Sequence, residues 1–168
     1  MRADPSDTLA RFRALHESGT FVIPNPWDTG TARLFAHMGF EALATTSAGM
    51  TFSRGLPERK GALPLNAVLD HVAELVAATP LPVNADFESG YAETPEGVFE
   101  NVGACVSLGV AGLSIEDATG DPSQPLYEQS IAVERMRAAR AAIDAPGTGV
   151  LLTGRAECFL VGHPAPLR

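Results

Sequence analysis

The sequence predicts a parallel α/β fold of the (β/α)8 barrel type, with only about the first five β/α units present. Three observations carry this expectation. Short apolar runs alternate with longer helical patterns five times, at intervals of roughly 20 to 40 residues, as βαβ units with right-handed crossovers do. The runs are apolar throughout, as strands covered on both faces should be. The first run is followed by "NPWDTGTA", which is not the Gly-rich phosphate turn common in doubly wound open sheets. A complete barrel takes ~250 residues. The 168 residues are therefore expected to form one partial barrel domain, 1–168, truncated on its C-terminal side.

Each element has its own signal. Residues 7–18 place Leu9, Phe12 and Leu15 three apart, an amphipathic helix. "FVIP" (21–24) reads as the first strand, and "TGTARLFAHMG" (29–39) as a helix stopped by Gly39. "ALATT" (42–46) is the second strand, followed by a polar loop, "SRGLPERKG". Helix 65–79 carries Val68, Leu69, Val72, Leu75 and Val76 on one stripe. "LPVNA" (81–85) is the third strand. Thr94 and Pro95 form a cap and first turn for a helix running to about Leu108. "VAGLSI" (110–115) is the fourth strand, and a helix near 128–143 precedes the fifth, "GVLLT" (149–153).

Composition narrows the function classes. With 45% apolar and 19% charged residues the chain reads as globular rather than disordered. A net charge of -8 argues against nucleic acid, which needs clustered Lys and Arg, and against anionic membranes. Cys105 and Cys158 lack metal-ligand or disulfide-framework spacing and read as reduced thiols. The N-terminus lacks a hydrophobic signal region, and no apolar run approaches the ~18 residues of a membrane span. A cytoplasmic location is the default expectation.

Polar groups gather where the strands run out. Asn25, Trp27 and Asp28 follow the first, and Ser47, Ala48 and Gly49 the second. Asp86 and Glu88 follow the third, Glu116 and Asp117 the fourth, Arg155 and Glu157 the fifth. In parallel α/β folds such positions converge on one face, where active sites are built. In extended chain residues i and i+2 point the same way, so Asp86 and Glu88 are expected to project together, joined by Glu116. Close carboxylates repel. A divalent cation removes the conflict, and oxygen-only ligands favour Mg²⁺ or Mn²⁺. Arg155 suits a carboxylate or phosphoryl group, and the Ser47–Gly49 turn offers backbone N–H groups. The alternatives are ordinary: Asp86 and Glu88 as a cap or solvated loop, Arg155 paired with Glu157 or Asp117, Trp27 as core or pocket wall. His16, His37, His71 and His163 are assigned no catalytic role.

Five segments, "NPWDTGTARLF", "GFEALATTSAGM", "ADFESGYAETPE", "GLSIEDATG" and "GRAECF", together resemble the isocitrate lyase/phosphoenolpyruvate mutase superfamily, in its phosphoenolpyruvate mutase-like branch. They keep the family's order and spacing and cover nearly the whole chain. The resemblance implies a (β/α)8 barrel, Mg²⁺ dependence, a homo-oligomer, and substrates that are small 2-oxo or hydroxy acids. It implies cleavage or rearrangement of a C–C or P–C bond through an enolate-like species. Asp86 resembles the direct metal ligand, Glu88 and Glu116 the acids holding metal-bound waters. Glu58, in "GLPE", stands where the family usually has aspartate. Ser47, Ala48 and Gly49 match the turn that binds the substrate's anionic end. Arg155 matches the substrate clamp, and with Glu116 makes the candidate catalytic pair.

Two departures shape the expected activity. The cysteine-bearing loop of isocitrate and methylisocitrate lyases has no counterpart here. "ATGDPSQPLYEQ" (118–129) is shorter than the mutase's gating loop. The expected function is a carbon–carbon lyase acting on a small 2-oxo or hydroxy acid. The alternatives are P–C chemistry on phosphonopyruvate-like substrates, or an inactive truncated paralogue.

Overall fold

The computed structural model describes residues 4–162. Helix α1 (Pro5–Glu17) begins where the Asp4 side chain accepts the Ser6 N–H and proline fills the first turn. Helix α2 (Thr29–His37) opens on a reciprocal cap. Asp28 accepts the Thr31 N–H at 2.7 Å, and the Thr31 hydroxyl accepts the Asp28 N–H at 3.2 Å. Then follow β1 (Leu43–Ala44), α3 (Ser47–Ser53), α4 (Leu65–Ala78), β2 (Val83–Asp86), α5 (Pro95–Ser107), β3 (Gly112–Glu116), α6 (Gln129–Asp144) and β4 (Leu151–Arg155). Among the described residues no helix is long and apolar enough to cross a membrane.

The four strands are parallel and lie side by side in sequence order, β1-β2-β3-β4. A doubly wound sheet reverses its order part-way and puts helices on both faces. Here there is no reversal, and α4 packs on α5 and α5 on α6. That is how a barrel wall is built.

The main core lies between these helices and the sheet. Val83, Ala85, Leu113 and Ile115 meet Val68 and Val72 of α4, Val98 and Val102 of α5, and Ala139 and Ile143 of α6. Burying each Val, Leu or Ile contributes about 1.5–3 kcal/mol. The alternate strand residues face the other way and are polar: Asn84, Asp86, Ser114, Glu116, Thr153 and Arg155 all line one cleft. This corrects the expectation of strands apolar on both faces, because the concave face of this wall borders a cleft. Phe12 of α1 closes the cleft's far end. It is buried with Ala42 and Ala111, against Leu15, Phe21, Ile23 and Leu151. Gly112 leaves it room, since a Cβ there would stand 2.6 Å from the Phe12 ring.

Several boundaries differ from the sequence reading, β1 among them, which covers only Leu43–Ala44 of the expected 42–46. Residues 21–24 fall outside the strand ladder, tied to β1 through the Ala44 N–H, which donates to the Pro24 carbonyl at 3.1 Å. Residues 47–53, expected to begin as a turn, form α3, because the Thr46 hydroxyl caps it by accepting the Gly49 N–H at 3.2 Å. Strands β2, β3 and β4 begin two residues later than expected and end one or two residues later, so Asp86, Glu116 and Arg155 are their final residues. His163 lies outside the described residues.

Candidate active site at the strand ends

The strand ladder itself brings the key groups together. Glu116 and Arg155 are register partners at the ends of β3 and β4, and Asp86 ends β2 one strand over. Arg155 Nη1 reaches Asp86 Oδ1 at 3.2 Å and Glu116 Oε2 at 3.3 Å, while its Nη2 reaches Glu157 Oε1 at 2.8 Å. One guanidinium thus serves three carboxylates. Asp86 Oδ2 also accepts the Ser47 N–H at 2.9 Å and the Ser47 hydroxyl at 3.0 Å. The Asp86 N–H donates to the Thr45 hydroxyl at 2.8 Å, fixing the strand end from the side.

Glu88 joins from a different backbone. Phe87 turns into the core at 0% exposure, and Glu88 takes a left-handed conformation with φ 42°. Its carboxylate accepts the Tyr91 hydroxyl at 2.9 Å, and its carbonyl accepts the Glu116 N–H at 2.9 Å. Asp86 and Glu88 do share the cleft, but through this kinked turn rather than by extended-chain alternation. Sequence reasoning passed over Tyr91; its hydroxyl three residues after an acid was the available signal.

The electrostatics is that of crowded acids. Burial pushes the Glu116 carboxyl up to about 7 against the pull of Arg155, helped by Asp86, Glu157 and Glu88. Burial also raises Glu88, with Asp86 and Glu58 adding to it and the Tyr91 hydroxyl opposing. Tyr91 is driven upward by burial and by Glu88. Positive charge is short here.

The cleft, about 960 Å³, is lined by Ser47, Ala48, Glu58, Asp86, Glu88, Glu116 and Arg155 among others. Trp27 and Gly49 are not part of its lining. The cause is local packing. A Cβ on Gly49 would stand 2.4 Å from Trp27 Nε1, so the glycine seats the indole behind α3, beside Phe52. The Gly49 N–H is in turn occupied by Thr46.

Among the described residues no three carboxylates, imidazoles or thiols are drawn close enough to hold a metal ion in this conformation. Arg155 stands between Asp86 and Glu116 instead. The donor set nevertheless fits a hard divalent cation. It is all oxygen, under-neutralised, and two of its members are held up by burial and mutual repulsion. Cys105 is buried and its thiol pushed up to about 12, which rules it out as a thiolate nucleophile.

The sequence pattern of phosphoenolpyruvate phosphomutases matches residues 12–168. The chain belongs to the phosphoenolpyruvate phosphomutase family. The 2-methylisocitrate lyase of Halalkalibacterium halodurans is 34% identical over 108 residues, covering 64% of this chain and 35% of that protein. A Burkholderia cenocepacia J2315 structure described as a lyase/mutase superposes with a TM-score of 0.91 at 48% identity, over 96% of this chain and 57% of that one. Oxaloacetate acetylhydrolase in complex with its product oxalate gives a TM-score of 0.84 at 27% identity, over 94% and 56% of the two chains. The chain therefore spans well under two thirds of the length of these relatives. Members of this phosphomutase family and its superfamily include lyases and mutases, and the partial barrel wall described above is their fold.

Proposed function

We propose that this chain carries the metal-binding part of a Mg²⁺-dependent carbon–carbon lyase acting on a small 2-oxo or hydroxy carboxylic acid. The supporting observation is one guanidinium shared by three carboxylates at parallel strand ends, on the wall of an open cleft. Asp86, Glu88, Glu116 and Glu58 would hold the ion, with Mn²⁺ as a substitute. When bound, the ion supplies positive charge to oxygens of the substrate as an enolate develops.

The chain's own residues do the rest. Arg155 orients the substrate's carboxylate, for which its planar donor fork is suited. The Ser47 hydroxyl and Ala48 border the anion's seat, and Ser47 meanwhile holds Asp86 in place. Without an ion Glu116 gains and loses its proton near neutral pH, and with a cation bound it would give up that proton and serve as a ligand through its carboxylate. The lyase reading is favoured by relatives that bear the names 2-methylisocitrate lyase and oxaloacetate acetylhydrolase. A second reading, P–C chemistry on a phosphonopyruvate-like acid, is favoured by the family match itself.

The experiment is a substrate panel of oxaloacetate, malate-type acids and phosphonopyruvate with Mg²⁺ or with EDTA, beside calorimetry with oxalate. Magnesium-dependent turnover of a carboxylic acid, abolished in Asp86→Ala, is the expected result. Oxalate binding that needs no metal, or an Asp86→Ala variant of full activity, overturns it.

A further inference from the structure

The turn that carries Glu88 is held by two side chains from the helices behind it. Arg135 on α6 donates through Nη1 to the Glu93 carbonyl at 3.0 Å, and through Nη2 to the carbonyls of Ala92, at 2.8 Å, and Ser89. Asn101 on α5 donates through Nδ2 to the carbonyls of Gly90 and Tyr91, both at 3.0 Å. Five consecutive carbonyls, 89 to 93, are thus bound by one guanidinium and one amide.

The backbone between them needs restraint. Glu88, Gly90 and Tyr91 have φ of 42°, 85° and 51°. Two of these are not glycine, and such conformations persist only where the surroundings over-determine them. Gly90 also packs close to Val98, where an added Cβ would stand 3.0 Å from a methyl carbon.

Arg135 is an unusual residue to place there. It is 1% exposed, on the same stripe of α6 as Ala139, Ala142 and Ile143. Among the described residues no carboxylate forms an ion pair with it. Its charge is met by the carbonyl dipoles and by the Tyr127 ring, 4.2 Å from the guanidinium carbon. A buried charge without an ionic partner is costly, and an apolar side chain could fill the same seam. Only a planar multiple donor could also gather three carbonyls.

We infer that Arg135 and Asn101 are positioning residues of the acidic site: they hold turn 89–93 in the shape that presents the Glu88 carboxylate to the cleft. The metal-binding consequence rests on the function proposed above. The chain between Glu88 and Tyr91 is the connecting piece. With it fixed, the Tyr91 hydroxyl bonds the carboxylate and the Glu88 carbonyl takes the Glu116 N–H. Glu88 in the turn after β2 and Glu116 at the end of β3 are thereby set relative to each other.

The test compares Asn101→Ala and Arg135→Lys with wild type, and with Val102→Ala as a core-weakening control on α5. Mg²⁺ affinity is read by calorimetry and turn mobility by hydrogen exchange of a peptide spanning 88–94. Both clamp variants are expected to weaken Mg²⁺ binding about tenfold, as loss of a ligand's supporting partners does. They should also speed exchange in the turn. Val102→Ala should lower Tm without moving the Mg²⁺ affinity. If Arg135→Lys does not fold, Asn101→Ala alone carries the comparison. Unchanged affinity in a folded clamp variant, or an equal loss in Val102→Ala, overturns the positioning role. If wild type binds no Mg²⁺, the metal reading fails by itself. Exchange then decides the clamp: acceleration in the turn supports it, and unchanged exchange overturns it.

Discussion

Asp86 Oδ1 lies 3.2 Å from Arg155 Nη1, so the proposed metal ligand and the proposed substrate clamp are bound to each other. The same nitrogen reaches Glu116. A cation and an anion entering this site would each take a partner from the other, leaving Arg155 available to the substrate as Asp86 engages the metal. Binding of the two is expected to be mutually reinforcing.

Arg155→Gln separates these roles. Without the guanidinium, Asp86 and Glu116 lose their internal cation, and Mg²⁺ affinity of the substrate-free protein should rise severalfold. Oxalate affinity in the presence of Mg²⁺ should fall about 10- to 100-fold, the worth of a charged hydrogen-bond partner. Calorimetry of each ligand checks both. A variant that loses affinity for both ions alike contradicts the competition.

Stability of the metal-free protein should fall as pH rises through the Glu116 range. The folded pKa, about 7, lies above the ordinary 4.5, so the folded state retains a proton that the unfolded state has released. Stability from this group is full below about pH 4.5 and is lost as pH approaches 7 and beyond. Glu116→Gln should flatten that part of the curve and raise stability at pH 8 by on the order of 1–3 kcal/mol. Urea midpoints measured in EDTA from pH 4.5 to 8 decide it.

Gly49→Ala should destabilise the chain. The new methyl would lie 2.4 Å from Trp27 Nε1 and 2.6 Å from Thr46 Cγ2. Overpacking of this kind costs about 1–3 kcal/mol, visible in urea unfolding and as increased Trp27 exposure in fluorescence. Trp27→Ala in the same background should relieve part of the cost.

Phe12→Ala should cost about 3–5 kcal/mol, because the ring is 1% exposed and packed among Ala42, Ala111, Leu15, Phe21, Ile23 and Leu151. The loss also opens the cleft's far end. Chemical denaturation gives the magnitude.

Much of this was legible in the sequence. The helices announced themselves: Thr94 and Pro95 do open α5, and the Val68–Val72–Val76 stripe is the face of α4 that meets the sheet. The acids and Arg155 were found because strand ends gather on one side of a parallel sheet. What escaped has physical causes. "FVIP" has the composition of a strand, but residues 21–24 lie outside the ladder. "SAGMTFS" hid α3, since it is short and rich in residues that also suit turns. The polar residues of β2 and β3 lay in apolar runs, and only a concave wall gives Asn84 and Ser114 their shared face. Asn101 and Arg135 looked like ordinary helical polar residues. The signal for Arg135 was its place on an otherwise apolar stripe, four residues before Ala139.

The seat of Phe12 also bears on how the chain is made. Its neighbours Ala111 and Leu151 are synthesised long after it, and Arg13 waits for the carbonyl of Gly149. At about 5–20 residues per second, on the order of ten seconds pass on the ribosome before that nest exists. Helix α1 therefore completes its docking only after β4 has been made, and until then Phe12 lacks the Ala111 and Leu151 side of its nest.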